Sequence, residues 1–253
     1  MIASRQSTTI STCDAMTNLR CVACVVAIFL ASAQQMSRSY SLQSAEGLRL
    51  LNVAAVPDTL DGKSGLRIAT SPAAAQSLAT PGGSPIEQMA LIDGLTFGNG
   101  TIEAEVAGVP DTTVFKDARG FVGIAFRVQP DMKTYDAFYL RPTNGRADDQ
   151  LRRNHSAQYI SHPAWTWSRL RTETPGQYES YVDLVPNTWT KLRIEVHGTL
   201  GRLYVHDQAQ PVLIVSDLKT GPTTKGGVAL WIDVGTQAHF RNLVVTPPND
   251  QRR

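Results

Sequence analysis

Trp189-Thr-Lys-Leu-Arg-Ile-Glu-Val-His197 alternates strictly: Leu192, Ile194 and Val196 on one side, Lys191, Arg193, Glu195 and His197 on the other. A period of two sends successive side chains to opposite faces of a β-strand, here one buried and one wet. Thr101–Val106 repeats the pattern, with Ile102, Ala104 and Val106 alternating against Thr101, Glu103 and Glu105 behind an Asn99-Gly100 turn. Working outward, Leu48–Val56 runs through Asp61-Gly62, a hairpin dipeptide, into Leu66–Thr70. Phe121–Val128, Ala137–Leu140, Trp165–Arg171, Tyr178–Leu184, Leu203–His206, Pro211–Ser216, Gly226–Asp233 and Ala238–Val245 complete the series, and Ser71–Pro85 reads as a loop. About ten to twelve strands with turns every ~8–12 residues, and no helix-length amphipathic pattern, predict an all-β fold: a two-sheet antiparallel β-sandwich of jelly-roll type.

The 253 residues carry a net charge of +2, with 42% apolar and 18% charged residues. That is a globular composition, and the near-zero charge argues against a nucleic-acid partner. Cys21–Ala33 (CVACVVAIFLASA) follows Arg20 and ends in a small-x-small pattern. Residues 1–33 therefore read as a signal peptide, too short in its apolar run to span a bilayer, with Met16 as an alternative start that makes 1–15 an upstream extension. The expected organisation is a loose N-terminus at 34–44, one sandwich domain at 45–247 and a tail at 248–253. The expected destination is secreted or periplasmic, without membrane attachment after cleavage. Cys13, Cys21 and Cys24 all precede the cleavage point, so the mature chain is expected to use neither disulfide nor thiolate.

Arg141–Arg171 stands apart. RPTNGRADDQLRRNHSAQYISHPAWTWSRLR holds six arginines, two histidines and two of the four tryptophans. Such a stretch is too polar for a core layer and too aromatic for an idle linker. Indole faces stack on sugar C–H surfaces, while guanidinium forks, amides and imidazoles satisfy hydroxyls or carboxylates.

Several blocks resemble the concanavalin A-like lectin/glucanase superfamily: Phe97-Gly-Asn-Gly-Thr-Ile-Glu-Ala-Glu-Val106, Gly120-Phe-Val-Gly-Ile-Ala-Phe-Arg127, Tyr135-Asp-Ala-Phe-Tyr-Leu-Arg141, Trp189–Val196, Gly226-Gly-Val-Ala-Leu-Trp231 and His239–Val245. Within it the chain is most similar to the laminin-G-like sandwich named after 3-keto-disaccharide hydrolases. The resemblance covers roughly residues 48–246. It implies two curved sheets that receive carbohydrate on the concave one, with Arg141–Ala164 as a long rim connection.

Candidate substrate-binding residues are Arg127, Tyr139, Arg141, Arg152, Asn154, Tyr159, Trp165, Trp167 and Arg171, with Trp165, Trp167, Arg169 and Arg171 sharing one strand face. Arg127 and Arg141 each end an apolar strand and either reach the concave sheet or cap loop carbonyls. Glu179, His155 and His162 are the catalytic candidates. Glu179 is alternatively a structural ion-pair partner, and the histidines are alternatively rim hydrogen-bonders or, with Asp148 or Asp149, metal ligands; no metal is assigned. Glu103 and Glu105 match a glucanase acid pattern in part, or are solvated carboxylates on an outer face. His197, His206 and His239 read as outward strand residues, and Trp189 and Trp231 as structural. No cofactor is expected; Asp233 is a weak candidate for structural calcium.

Three functions fit these residues. The first is an exported module that binds a sugar, oxidised or anionic because of the arginines. The second is a glycoside hydrolase or an enzyme cleaving 3-keto-glycosides by elimination. The third is a laminin-G-like module for a protein partner. The sequence does not fix an oligomeric state.

Overall fold

The computed structural model describes residues 36–80 and 86–248. The signal-peptide reading, the three cysteines and nearly all of the C-terminal tail lie outside them. The strands are β1 (Arg38–Tyr40), β2 (Leu48–Leu51), β3 (Val53–Leu60), β4 (Lys63–Thr70), β5 (Met89–Ile92), β6 (Gly100–Pro110), β7 (Val122–Val128), β8 (Tyr135–Leu140), β9 (Ala157–His162), β10 (Glu179–Ser180), β11 (Thr190–His197), β12 (Leu200–Val205), β13 (Leu213–Val215), β14 (Gly227–Ile232) and β15 (Thr236–Thr246). Three short helices interrupt them: α1 (Pro72–Ala79), α2 (Gln150–Arg153) and α3 (Trp167–Glu173). One sheet runs β13-β12-β11-β6-β15-β4-β3 with β1 added beside β15; the other runs β10-β9-β8-β7-β14-β5-β2. All pairings are antiparallel, and the two sheets form the expected sandwich. Among the described residues no helix is long and apolar enough to cross a membrane.

The opening stretch sits at the centre of this arrangement. β11 pairs with β6 so that Leu192 faces Ala104 and Ile194 faces Ile102, all of them buried. On the opposite face Lys191 meets Glu105 and Arg193 meets Glu103. This register sets both glutamates on the outer face of the eight-stranded sheet, where Arg241 and Asn242 contact Glu105. Asp61 and Gly62 have φ of 49° and 72°, the conformation of a two-residue hairpin turn. Opposite, Phe126, Phe138 and Tyr159 stack inside the seven-stranded sheet, and the Phe138 ring presses against Gly201 of β12, where an added Cβ would lie 3.1 Å from it.

Several expectations are corrected. Arg38–Tyr40, placed in the loose terminus, pairs with Leu243–Val245. The loop at 71–85 contains α1, started by Ser71, whose side chain accepts from the Ala74 amide. The 141–164 connection contains β9, buried along nearly its whole length. His239 is buried rather than outward, with Nε2 3.0 Å from Asp58 Oδ2. Trp165–Arg171 is not a strand: Thr166 caps the Arg169 amide, Arg169 bonds Glu173 one turn on at 2.7 Å, and Leu170 is the one fully buried residue of the helix. The alternation of that stretch is a helix with a single buried position.

Two binding candidates turn out to be structural. A β-bulge where β7 meets β14 gives Arg127 a φ of 54° and turns its side chain into the sandwich end. There the guanidinium is fully buried, donates to the carbonyls of Gly98, Gly198 and Gly221, and sits 3.7 Å from Asp136. Tyr159 is also fully buried; its hydroxyl donates to Asp136 at 2.7 Å and accepts from the Lys219 amide. Neither side chain touches solvent, so neither meets a ligand. Replacing Arg127 with Met strands the Asp136 carboxylate in the core, which is expected to cost about 3–5 kcal/mol in urea denaturation. A variant as stable as the parent contradicts this role.

Candidate functional site

β8 and β9 pair so that Tyr139 faces Gln158 on the outer side of the seven-stranded sheet. Arg141, one step beyond β8, lies over this pair. Its Nη2 donates to the Tyr139 hydroxyl at 2.7 Å and to Gln158 Oε1 at 2.9 Å. The guanidinium stacks at 4.8 Å over Phe121 and lies 5.8 Å from the Trp167 ring. Arg141 is only 3% exposed, yet among the described residues its Nε has no partner and its two hydrogen-bond acceptors are neutral. A buried cation whose hydrogen bonds run only to neutral groups is compensated less well than one held in an ion pair.

A depression of about 580 Å³ opens at this fork, lined by Arg119, Arg141, Asn144, Asp149, Arg152, His155 and Arg171 among others. Arg152 is oriented by Asn144, whose Oδ1 accepts from its Nε at 3.0 Å, and Asn144 in turn donates to the His155 carbonyl. Gly145 seats Asn144 in its turn: a Cβ at Gly145 would lie 2.3 Å from the Leu184 amide nitrogen. Asp149 caps α2, accepting from the Arg152 amide at 2.7 Å. A second lobe of about 530 Å³ adjoins the first and shares Leu151, His155 and Arg171 with it. Its wall is less cationic, built from Asn154, Pro175, Gly176, Glu179, Ser180 and Tyr181.

His155 and Arg171 stand between the lobes, joined through Glu179. Arg171 grips both oxygens of Glu179, the shortest contact being 2.7 Å, and His155 Nδ1 lies 2.8 Å from Oε1. Burial, with Arg171 and Arg141 nearby, lowers the His155 pKa below its ordinary value despite the pull of Glu179. Asp233, the calcium candidate, lies near enough to Arg141 and Arg119 to feel their charge, but burial dominates and raises its carboxyl pKa.

The candidates thus divide. Arg141, Arg152, Arg171, His155, Glu179 and Asn154 converge on the two lobes, with Tyr139 beneath and exposed Trp167 beside them, its ring 5.0 Å from the Arg171 guanidinium. Because α3 is a helix, Trp167 and Arg171 are one turn apart on one side while Trp165 is carried away. Trp165 pairs back onto Ser161, under Arg169 at 3.8 Å and close to Lys219. His162 also leaves the site: its Nδ1 lies 2.6 Å from Glu87, which accepts from Tyr135 as well. His155 and His162 therefore belong to separate clusters. Sequence reasoning passed over Gln158, Asn144, Arg119 and Tyr181. Of these only Tyr181, one of two tyrosines in a polar segment just past the arginine-rich stretch, carried a usable signal.

No protein-family profile matches this chain, and no curated protein matches it in sequence. Among solved structures it is similar to the carbohydrate-binding module CBM66 from Bacillus subtilis, at 14% identity and a TM-score of 0.52 over 79% of this chain and 96% of that one. It is also similar to a Bacillus subtilis protein of unknown function with a galectin-like fold, at 11% and 0.50 over 83% and 94%. A third is Crh5 transglycosylase in complex with NAG, at 11% and 0.50 over 85% and 86%. At these identities the likeness is one of fold.

The lowered His155 pKa has a consequence for stability. Below about pH 6.5 the unfolded imidazole takes up a proton that the folded one resists, so folding weakens as pH falls through that range. Thermal melts of His155→Gln should lose less stability between pH 7 and pH 5 than the parent does. Equal losses would show that His155 is not desolvated beside Glu179, Arg171 and Arg141.

Proposed function

We propose that this chain is an exported β-sandwich that binds carbohydrate through an anionic group on the sugar. The observation that carries the reading is Arg141: buried, stacked, held by neutral partners, and opening onto a pocket shared with Arg119, Arg152 and Arg171. Arginine forks match carboxylate and sulfate oxygens in pairs, whereas a neutral hydroxyl leaves most of their charge unanswered. Trp167 is 43% exposed at the edge of the pocket and offers a ring face to the sugar's C–H surface. The fold neighbours include a carbohydrate-binding module, which supports the sugar class, and the wet, cationic hollow favours a glycan over a flat apolar protein interface. The resemblance to 3-keto-disaccharide hydrolases keeps an enzymatic reading beside this one. The pocket's two carboxylates weigh against two-acid hydrolysis, since Glu179 is gripped by Arg171 and Asp149 caps a helix.

Calorimetry with methyl glucuronide and methyl glucoside tests the charge preference. The acidic sugar should bind at least tenfold more tightly, and Arg119→Ala/Arg152→Ala, which alters two exposed side chains, should remove most of that difference. Trp167→Ala should weaken both ligands by roughly 3–10-fold. Equal affinity for the two sugars would refute the anionic preference. Export is checked separately: N-terminal sequencing of the processed protein should begin at Gln34.

A further inference from the structure

The two lobes meet at His155, and that position makes the site more than a receptacle. β-Elimination from a uronic acid has three requirements. The carboxylate must be neutralised so that the adjacent C5–H becomes acidic, a base must take that proton, and a donor must protonate the departing O4. Resting on the acidic-sugar reading above, we propose that this chain is a lyase for 4-linked uronate glycans, with Arg141 and Arg152 holding the carboxylate, His155 as base and Tyr181 as proton donor.

The residues occupy the places this chemistry needs. The cationic lobe takes the uronate carboxylate, and Arg141 there lacks an anionic partner among the described residues. His155 lines both lobes, so it stands at the junction that a glycosidic bond spanning them would cross. Its Nδ1 is shielded beside Glu179, whose own position is fixed by the Arg171 fork, which leaves Nε2 as the nitrogen for the substrate. Burial keeps the ring neutral at physiological pH, the form a base requires. Tyr181 lies in the wall of the second lobe, 42% exposed, and its hydroxyl accepts from Arg153 at 3.1 Å with that guanidinium stacked 5.2 Å from the ring.

The step balances without oxidant, reductant or water. His155 Nε2 takes the C5 proton, and the C5–H electron pair becomes the C4=C5 double bond. The C4–O4 bond breaks, O4 leaves with its electron pair and receives the Tyr181 proton, and solvent then restores both side chains. Arg141 and Arg152 stabilise the negative charge that develops on the carboxylate as C5 is deprotonated. Glu179 and Arg171 are positioning residues, acting through His155.

The test is incubation of the mature chain with polygalacturonate, alginate and a glucuronate-containing glycosaminoglycan, following ultraviolet absorbance of the conjugated alkene and the masses of the products. At least one polymer should yield oligosaccharides with an unsaturated terminal uronate. His155→Gln and Tyr181→Phe should each lower that turnover about 100-fold or more while uronate binding, measured by calorimetry, is kept. Retained binding also shows that the variants fold. Uronate binding by wild type without any unsaturated product overturns the lyase proposal and leaves the binding reading standing. Turnover unchanged in His155→Gln overturns the assignment of the base. Failure of every uronate to bind removes both readings together.

Discussion

A charged guanidinium buried against aromatic rings, hydrogen-bonded among the described residues only to neutral oxygens, is the constraint around which the site is built. Taking the Arg141 guanidinium out of water costs heavily unless hydrogen bonds and an anion compensate. Tyr139 and Gln158 supply the bonds from two paired strands, Phe121 supplies a stacking face, and the anion is the partner we propose for the pocket. Arg127 shows the contrasting solution on the same sheet. It is equally buried, but three carbonyls and Asp136 saturate it, so it serves the fold. The chemistry of the neighbours, not the residue type, separates a structural arginine from a recognising one.

The rest of the site follows from how the arginine-rich stretch is folded. Turning it into a 3-10 turn (Pro142–Asn144), α2, β9 and α3 brings residues distant in sequence to one hollow: Asn144 and Arg152 from the turn and α2, His155 from the approach to β9, Arg171 from α3 and Glu179 from β10. The carboxylate of Glu179 joins His155 to Arg171, so a change at Arg171 reaches His155 through that carboxylate. The lobes differ in character, one cationic and one lined by Leu151, Pro175 and Tyr181. That pairing suits a ligand with a charged group at one end and a less polar ring at the other.

The sandwich was legible because β6 and β11 bury one face each, and alternation is the direct imprint of that burial. β9 was not, because both its faces are covered and its polar residues are consumed by internal hydrogen bonds. Gln158 holds Arg141, and Ser161 pairs with Trp165, so no alternation survives. α3 was misread because one buried leucine leaves its helical period invisible. In the site, the arginines, His155 and Glu179 were legible as a local excess of chemistry. The bulge that withdraws Arg127 and the helix that separates Trp165 from Trp167 are backbone events with no side-chain pattern to announce them.

Recognition at this site turns on an anion lodging against Arg141. A crystal structure of the protein soaked with glucuronate measures this directly. The carboxylate should lie within hydrogen-bond distance of the Arg141 guanidinium, with Arg152 closing on it and the sugar ring beside Trp167. Glucuronate bound on another face, or a fully occupied ligand whose carboxylate points to solvent away from Arg141, would contradict the account.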